Sequence, residues 1–169
     1  MRVRSKIIWC ALIVAAIAAV VWLEVRNRVA FNSVVEIDMR GPIEERAQAG
    51  SSGATMQEIT SAIDAARDDR RVGGLLLEIG DANGRPAVLE EIAAHVRAFG
   101  KSGKASICFY DEEDDDVRAE RLASACYKKL GEGPGTDDDV EEFFNERLGE
   151  DNWSRIEMGE YLRKARGDT

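Results

Sequence analysis

The chain has 169 residues, with 23 basic and 32 acidic side chains and a formal net charge of −9. Residues 1–28 hold five of the basic residues and one acidic residue, so the remainder has 18 basic and 31 acidic residues and a net charge of −13. Such an acidic chain is not expected to bind nucleic acid or anionic lipid head groups through its overall charge. Three cysteines are too few for a disulfide framework.

An unbroken apolar stretch of 17 residues runs from Ile7 to Leu23. It is at the short end of what spans a bilayer and is longer than a typical signal-peptide core. Three basic residues precede it and two follow, which favours a cytoplasmic N-terminus. Because Trp22-Leu23-Glu24 offers no small residues for cleavage, we predict an uncleaved anchor within residues 1–28 and an exported domain over 29–169. The alanine-rich stretch at 15–19 is also compatible with a cleaved signal.

The next segments predict a strand, a helix and a second strand. Val34 to Met39 alternates as a strand, and a flexible loop follows it. Thr55 and Glu58 form a capping box at the start of a helix that ends in the charged cluster 67–71. Val72 to Ile79 is a near-continuous apolar run, which is typical of a strand covered on both faces.

A second helix is predicted from Pro86 to Gly100, because proline suits the first helical position and glycine follows the apolar stripe. Ala105 to Tyr110 then predicts another strand. Two parallel strands joined by a helix form a βαβ crossover. The sequence therefore predicts an α/β domain with a parallel sheet between helices.

The last third of the chain is less regular. Six acids at 111–116 predict a solvated loop, since the run lacks the alternation and glycine turn of a calcium site. A helix is predicted from Val117 to Lys128, another begins at 137–139, and Trp153 to Met158 predicts a final strand. Residues 159–165 close the chain. We expect no metal site and no cofactor.

Neither the cysteines nor the histidine indicates a catalytic role in the sequence. Cys10 lies in the predicted anchor, Cys108 in a strand and Cys126 beside a helix. Cys108 and Cys126 could pair in an oxidising compartment, but we interpret them as buried free thiols. His95, the only histidine, has no nucleophilic partner suggested by the sequence and is interpreted as a surface or packing residue.

Five motifs occur in a consistent order along the chain. They are residues 35–43, a strand with a Gly-x-Ile turn; 65–75, which matches A-x-x-D-x-x-V-x-G-L; 99–104, which matches F-x-x-S-G-K; 122–125, the L-A-S-A end of a helix, with Pro134-Gly135 beyond it; and 159–161, the start of G-x-Y-K-S-A. In this order, after an apolar anchor, they resemble the signal peptide peptidase A (protease IV) family of membrane-anchored serine peptidases. The resemblance covers nearly everything from residue 34 onward.

The resemblance implies a crotonase-like (Clp protease-like) α/β fold behind a single transmembrane helix. It also implies a serine–lysine dyad, in which a lysine whose pKa is lowered by burial takes the serine proton. In the long form of the family, the lysine comes from an N-terminal repeat and the serine from a C-terminal repeat, and the subunits form a ring or bowl. This chain matches only the N-terminal repeat.

The chain departs from the family pattern at the catalytic positions. The family lysine directly follows the tyrosine, and here that position is Leu162. Lys164, two residues further on, is displaced by about 200° around a helix and is the one catalytic candidate. The glycine pair that would donate N–H groups to an oxyanion is replaced by residues 81–84, with one glycine. Ser124 belongs to a packing motif and is interpreted as structural.

Three functions remain open. The chain is a divergent or truncated protease IV-like membrane protein that is inactive alone, an active subunit whose serine comes from another chain, or a membrane-tethered binding or scaffold domain. The first two predict self-assembly or pairing with a full-length paralogue, and peptide substrates if active. An acyl-CoA enzyme of the crotonase type is disfavoured, since an exported acidic domain lacks coenzyme A and the positive charge to hold its phosphates. We predict a bacterial-type inner membrane location.

Overall fold

The computed structural model describes residues 29–39, 43–44, 54–79, 85–110, 122–126, 128–130 and 137–167, together with Ile13. Within these residues, no helix is long and apolar enough to cross a membrane. The predicted span from Ile7 to Leu23 lies, apart from Ile13, outside the described residues.

Five parallel strands form one sheet. They are β1 (Ser33–Asp38), β2 (Val72–Ile79), β3 (Ala105–Tyr110), β4 (Lys128–Leu130) and β5 (Ser154–Glu157). Their order across the sheet is β4-β3-β2-β1-β5, and every neighbouring pair is parallel. This confirms the prediction of an α/β domain with a parallel sheet.

Four helices are described: α1 (Met56–Asp68), α2 (Pro86–Gly100), α3 (Asp137–Leu148) and α4 (Met158–Arg166). The predicted capping box is present, because the Glu58 N–H donates to Thr55 Oγ1 over 3.2 Å and the Thr55 N–H donates to Glu58 Oε2 over 3.0 Å. The predicted limits of β2, α2 and β3 are confirmed.

The helices cover the two faces of the sheet unequally. The first face carries α1, α2 and α4 over a large apolar core that includes Ile37, Leu77 and Phe99. The second face carries α3 over a smaller core, formed by Val34, Leu76, Ala105, Ile107, Val140, Phe143 and Phe144. Right-handed crossovers account for the first three helices, since the chain moves one way across the sheet from β1 to β4 and then in the opposite direction to reach β5, which places α3 on the other face. The last helix, α4, follows β5 and packs on the first face.

Two glycines in β2 let α3 approach the second face closely. A methyl group on Gly74 would overlap the Phe144 ring and lie 3.2 Å from the Ala105 carbonyl oxygen. A methyl group on Gly73 would lie 2.9 Å from both terminal carbons of Leu148. The Gly-Gly pair therefore sets the distance between the helix and the sheet.

Two predictions for the last third were wrong in part. The helix predicted from Val117 to Lys128 is helical at residues 122–123, turns at 124–125, and gives way to β4 at Lys128; residues 117–121 are outside the described part. The last strand ends at Glu157 rather than Met158, which begins α4.

Cys108 and Cys126 form a disulfide, with their Cα atoms 5.8 Å apart. The interpretation of these two residues as free thiols is therefore wrong. Cys108 lies on β3 facing the first core, and the turn at 122–126 packs its Leu122 and Ala123 into that same core. The packing of these apolar neighbours brings the two sulfur atoms together, which spacing along the chain could not reveal.

Candidate functional site

The position at which the resemblance would place a lysine lies in the core. Leu162 is 9% exposed, and the preceding Tyr161 is fully buried, on the side of α4 that packs against the first face. The helix places these residues inward because the apolar side chains occupy one stripe, while Glu160 and Arg163 are exposed. A lysine is thus absent from the inward position and an apolar side chain fills it.

Lys164, the catalytic candidate, lies elsewhere on α4. Its Nζ forms an ion pair with Glu160 Oε1 over 2.8 Å, and its side chain is 17% exposed. This pair lowers the pKa of Glu160 through its hydrogen bond and charge. A proton-accepting lysine needs a hydroxyl within hydrogen-bond reach. In the described part of the chain, the partner of Lys164 is this carboxylate.

Two serine hydroxyls of the described residues donate hydrogen bonds to backbone carbonyl groups. Ser33 Oγ donates to the Ala30 carbonyl over 2.8 Å, and Ser102 Oγ donates to the Phe99 carbonyl over 2.7 Å. Ser124 is exposed on the turn that follows the buried Leu122 and Ala123. The structure thus places Leu122 and Ala123 of the L-A-S-A motif in the first core, while Lys164 is paired with Glu160.

A different lysine is partly buried and binds the end of α1. Lys104 Nζ donates to the Ala66 carbonyl over 2.7 Å and to the Asp69 carbonyl over 2.6 Å, and it lies 5.9 Å from the centre of the Phe99 ring. Burial lowers the pKa of Lys104. The side chain of Asp69 accepts hydrogen bonds from Arg71. Lys104, from the F-x-x-S-G-K motif, and Asp69, from the helix-to-strand motif, therefore stabilise the carboxyl end of α1.

Tyr161 has a buried hydroxyl group for which the described residues provide no hydrogen-bond partner. Burial raises the pKa of Tyr161, and the negative charge of Asp69 raises it further. The group is consequently neutral. Its ring is among the largest fully buried side chains, so its main contribution is to packing.

A carboxyl pair lies on the second face beyond the end of α3. Glu36 and Glu78 follow Val34 and Leu76 by two residues on β1 and β2, so they point to the same face. The two side chains lie within hydrogen-bonding range of each other. Burial and then the charge of Glu78 raise the pKa of Glu36, while Arg155 on β5 opposes the shift.

This pair was not predicted, although the sequence carries a signal for it. Glu78 interrupts an apolar strand that was expected to be covered on both faces, and such a charge needs a partner. Because its pKa is raised, the Glu36 carboxyl keeps its proton to a higher pH than an ordinary glutamate does. Among the described residues, no group of three histidine, cysteine, aspartate or glutamate side chains is arranged to hold a metal ion.

His95 joins two helices, as a surface or packing residue would. Its Nδ1 lies 2.9 Å from Asp64 Oδ1 on α1, and its Nε2 lies 3.5 Å from Glu91 Oε1 on α2. Asp64 also accepts a hydrogen bond from Arg67 over 2.9 Å. The histidine therefore pins α2 to α1 and faces no nucleophile.

Two predicted loops fall outside the described residues. They are the acidic run at 111–116 and the segment 81–84, where the family has its oxyanion glycines. Comparison of the chain with protein-family models and with curated proteins gives no match.

Proposed function

We propose that this chain is a membrane-tethered, exported protease IV-like domain that is inactive by itself and acts as a non-catalytic subunit alongside a complete peptidase. The observation that carries this proposal is Leu162. The resemblance assigns the catalytic lysine to this position, and an apolar side chain in the first core occupies it. A chain with this substitution lacks the base that a serine–lysine dyad requires.

The neighbouring lysine does not replace the missing one. Lys164 is ion-paired with Glu160 over 2.8 Å, one helical turn away on the same helix. The motif residues around the site, such as Asp69 and Lys104, have helix-end roles that any folded member would need. The fold of the family is thus kept in this proposal while its chemistry is lost.

The disulfide supports the exported location. Disulfides persist in oxidising compartments such as the bacterial periplasm and are rare in the cytosol. Cys108 and Cys126 are joined within the domain that follows the apolar stretch Ile7–Leu23. A signal anchor with its N-terminus in the cytoplasm would place residues 29–169 in such a compartment.

The test is a fluorogenic-peptide assay on the full chain in detergent, alone and mixed with a complete family member that carries both repeats. We expect no cleavage by the chain alone. In the mixture, a changed rate together with co-elution in size-exclusion chromatography would support a subunit role. A chain that neither co-elutes nor alters the rate would contradict this role and leave a tethered binding domain.

Two variants decide whether Lys164 contributes. If Lys164→Ala abolishes a rate gain in the mixture and Arg163→Ala, its exposed neighbour, does not, then the chain supplies a base to a serine from another subunit. If both variants behave like the original chain, the subunit is non-catalytic, as proposed. Arg163 is the control because it is a basic side chain on the same helix that is exposed, whereas Lys164 is partly buried.

A further inference from the structure

Phe31 is the only large apolar side chain from residue 29 onward that the structure describes as exposed, with 71% of its surface open to solvent. It lies in the turn at 29–32 that leads into β1. Single exposed apolar residues are common and need no explanation by themselves. The position of this one, next to the predicted anchor, gives it a specific neighbour.

The turn that carries Phe31 is fixed on both sides. Val29 is buried in the first core, and the Ser33 hydroxyl donates to the Ala30 carbonyl over 2.8 Å. The Ser33 N–H donates to the Arg71 carbonyl over 3.0 Å, and Asn32 adopts a left-handed conformation with φ of 56°. Because its neighbours are held by the domain, Phe31 projects from a defined place at the amino end of the sheet.

The chain length ties this end of the sheet to the bilayer. Leu23 ends the apolar stretch and Val29 is already in the core, so five residues, 24–28, join them. Even fully extended, such a connection reaches roughly 20 Å. The head-group layer on each side of a bilayer is roughly 5 to 8 Å thick. A domain tethered this closely must keep the amino end of β1 beside the membrane.

We propose that Phe31 inserts its ring into the lipid interface and orients the domain with the amino ends of its strands toward the bilayer. The inference rests on the membrane tether in the proposed function. The occupant is lipid rather than a protein because the anchor of the same chain brings lipid within reach. Exposed charges of both signs surround this end, with Arg70 and Lys101 on one side and Glu150 and Asp151 on the other. The contact is therefore apolar and independent of anionic lipid.

The experiment uses the full chain with Cys10→Ser, reconstituted into phosphatidylcholine vesicles or into vesicles that also contain phosphatidylglycerol. A nitroxide is attached at Phe31→Cys and, separately, at Ala30→Cys on the same turn. The matched control is Ala87→Cys, an exposed position in the first turn of α2, after the carboxyl end of β2. Flotation first establishes that the chain is in the vesicles, and collision with oxygen or a water-soluble nickel chelate then reports depth.

We expect the labels at 30 and 31 to be several-fold less accessible to nickel than the label at 87 in both kinds of vesicle. Equal accessibility at 31 and 87 in floating vesicles would overturn the docking of Phe31 and leave the tether intact. Protection only with phosphatidylglycerol would also overturn it, since charge would then hold the domain. A chain that does not float would overturn both the tether and this inference.

Discussion

The two faces of the sheet differ in how they are built and in what they expose. The first face is covered by three helices over a continuous core, and the apolar residues of the motifs that suggested a peptidase contribute to it. Among the described residues, the second face is covered by α3, which approaches over two glycines, and the Glu36–Glu78 pair lies on the same face. The motif residues are therefore accounted for by packing in the first core.

The largest expected effect comes from Phe144→Ala. Phe144 is fully buried at the centre of the second core and packs against Gly74 and Trp153. Truncation should lower the free energy of unfolding by about 3 to 5 kcal/mol, because it leaves a cavity. Phe31→Ala, on an exposed phenylalanine, should change it by less than about 0.5 kcal/mol.

Amide hydrogen exchange shows whether the two faces separate. If α3 is held by the small second core alone, exchange in Phe144→Ala should rise more in α3 than in α1. An equal rise in both helices would mean that the faces unfold as one unit and would contradict the comparison.

The second prediction concerns the first face. Cys126→Ser opens the loop closed by the disulfide, whose ends are 18 residues apart. In the chain-entropy account this costs about 3 kcal/mol of unfolding free energy. Denaturation of the oxidised chain, the variant and the reduced chain would check it. A variant as stable as the oxidised chain would show that the bridge does not constrain the unfolded state.

The third prediction compares the two glycines. Gly74→Ala meets the Phe144 ring and a backbone carbonyl, neither of which can rotate away, so we expect a loss of about 1 to 3 kcal/mol. Gly73→Ala meets the end of the Leu148 side chain, which is partly exposed and can move, and lies at an ordinary contact distance of 3.5 Å from Asn32 Cα. Its loss should be the smaller of the two, as urea denaturation would show. The reverse order would mean that Leu148, not Phe144, sets the helix position.

The smallest effect is a pH dependence at the carboxyl pair. The pKa of Glu36 is raised above its ordinary value of 4.5, so the folded chain binds this proton more tightly than the unfolded chain. Its stabilising contribution is full below about pH 4.5 and is lost as pH rises through the folded pKa. Glu36→Gln should remove this dependence of the unfolding free energy on pH. It should change stability at neutral pH by less than about 1 kcal/mol, given solvent screening.

Glu141→Gln, on an exposed position of α3, is the control for this titration. The slope between pH 4 and pH 7 should persist in the control. If the unfolding free energy of Glu36→Gln still changes with pH in this range, the dependence arises from other carboxyl groups.

Local patterns were sufficient for much of the fold. The capping box, Pro86 and the apolar run at 72–79 act within one segment, so α1, α2, β2 and β3 could be predicted from them. The strand β4 could not, because Lys128–Leu130 has no strand pattern and is defined by its pairing with β3. The role of Lys104 depends on the end of α1, which is brought close only by the tertiary fold.

The candidate site was less predictable for the same reason. The resemblance indicated Leu162 as the position where this chain differs from the family pattern, and the structure adds that this residue is buried. The ion pair of Lys164 with Glu160 follows a four-residue helical spacing that the sequence contains. The carboxyl pair joins two strands whose register is set by the sheet, so only the folded chain reveals it.

The placement of β5 affects the order in which this domain can form. β1 pairs with β2 on one side and with β5 on the other, so the pairing of β1 is complete only after the strand that begins at Ser154 has formed. A chain synthesised from its N-terminus presents β1 long before its second neighbour is made. During that interval one edge of β1 has unpaired backbone groups, and the surface that α4 later covers stays open. Such an intermediate is a natural substrate for holding chaperones, and synthesis of β5 and α4 becomes the event that completes the fold.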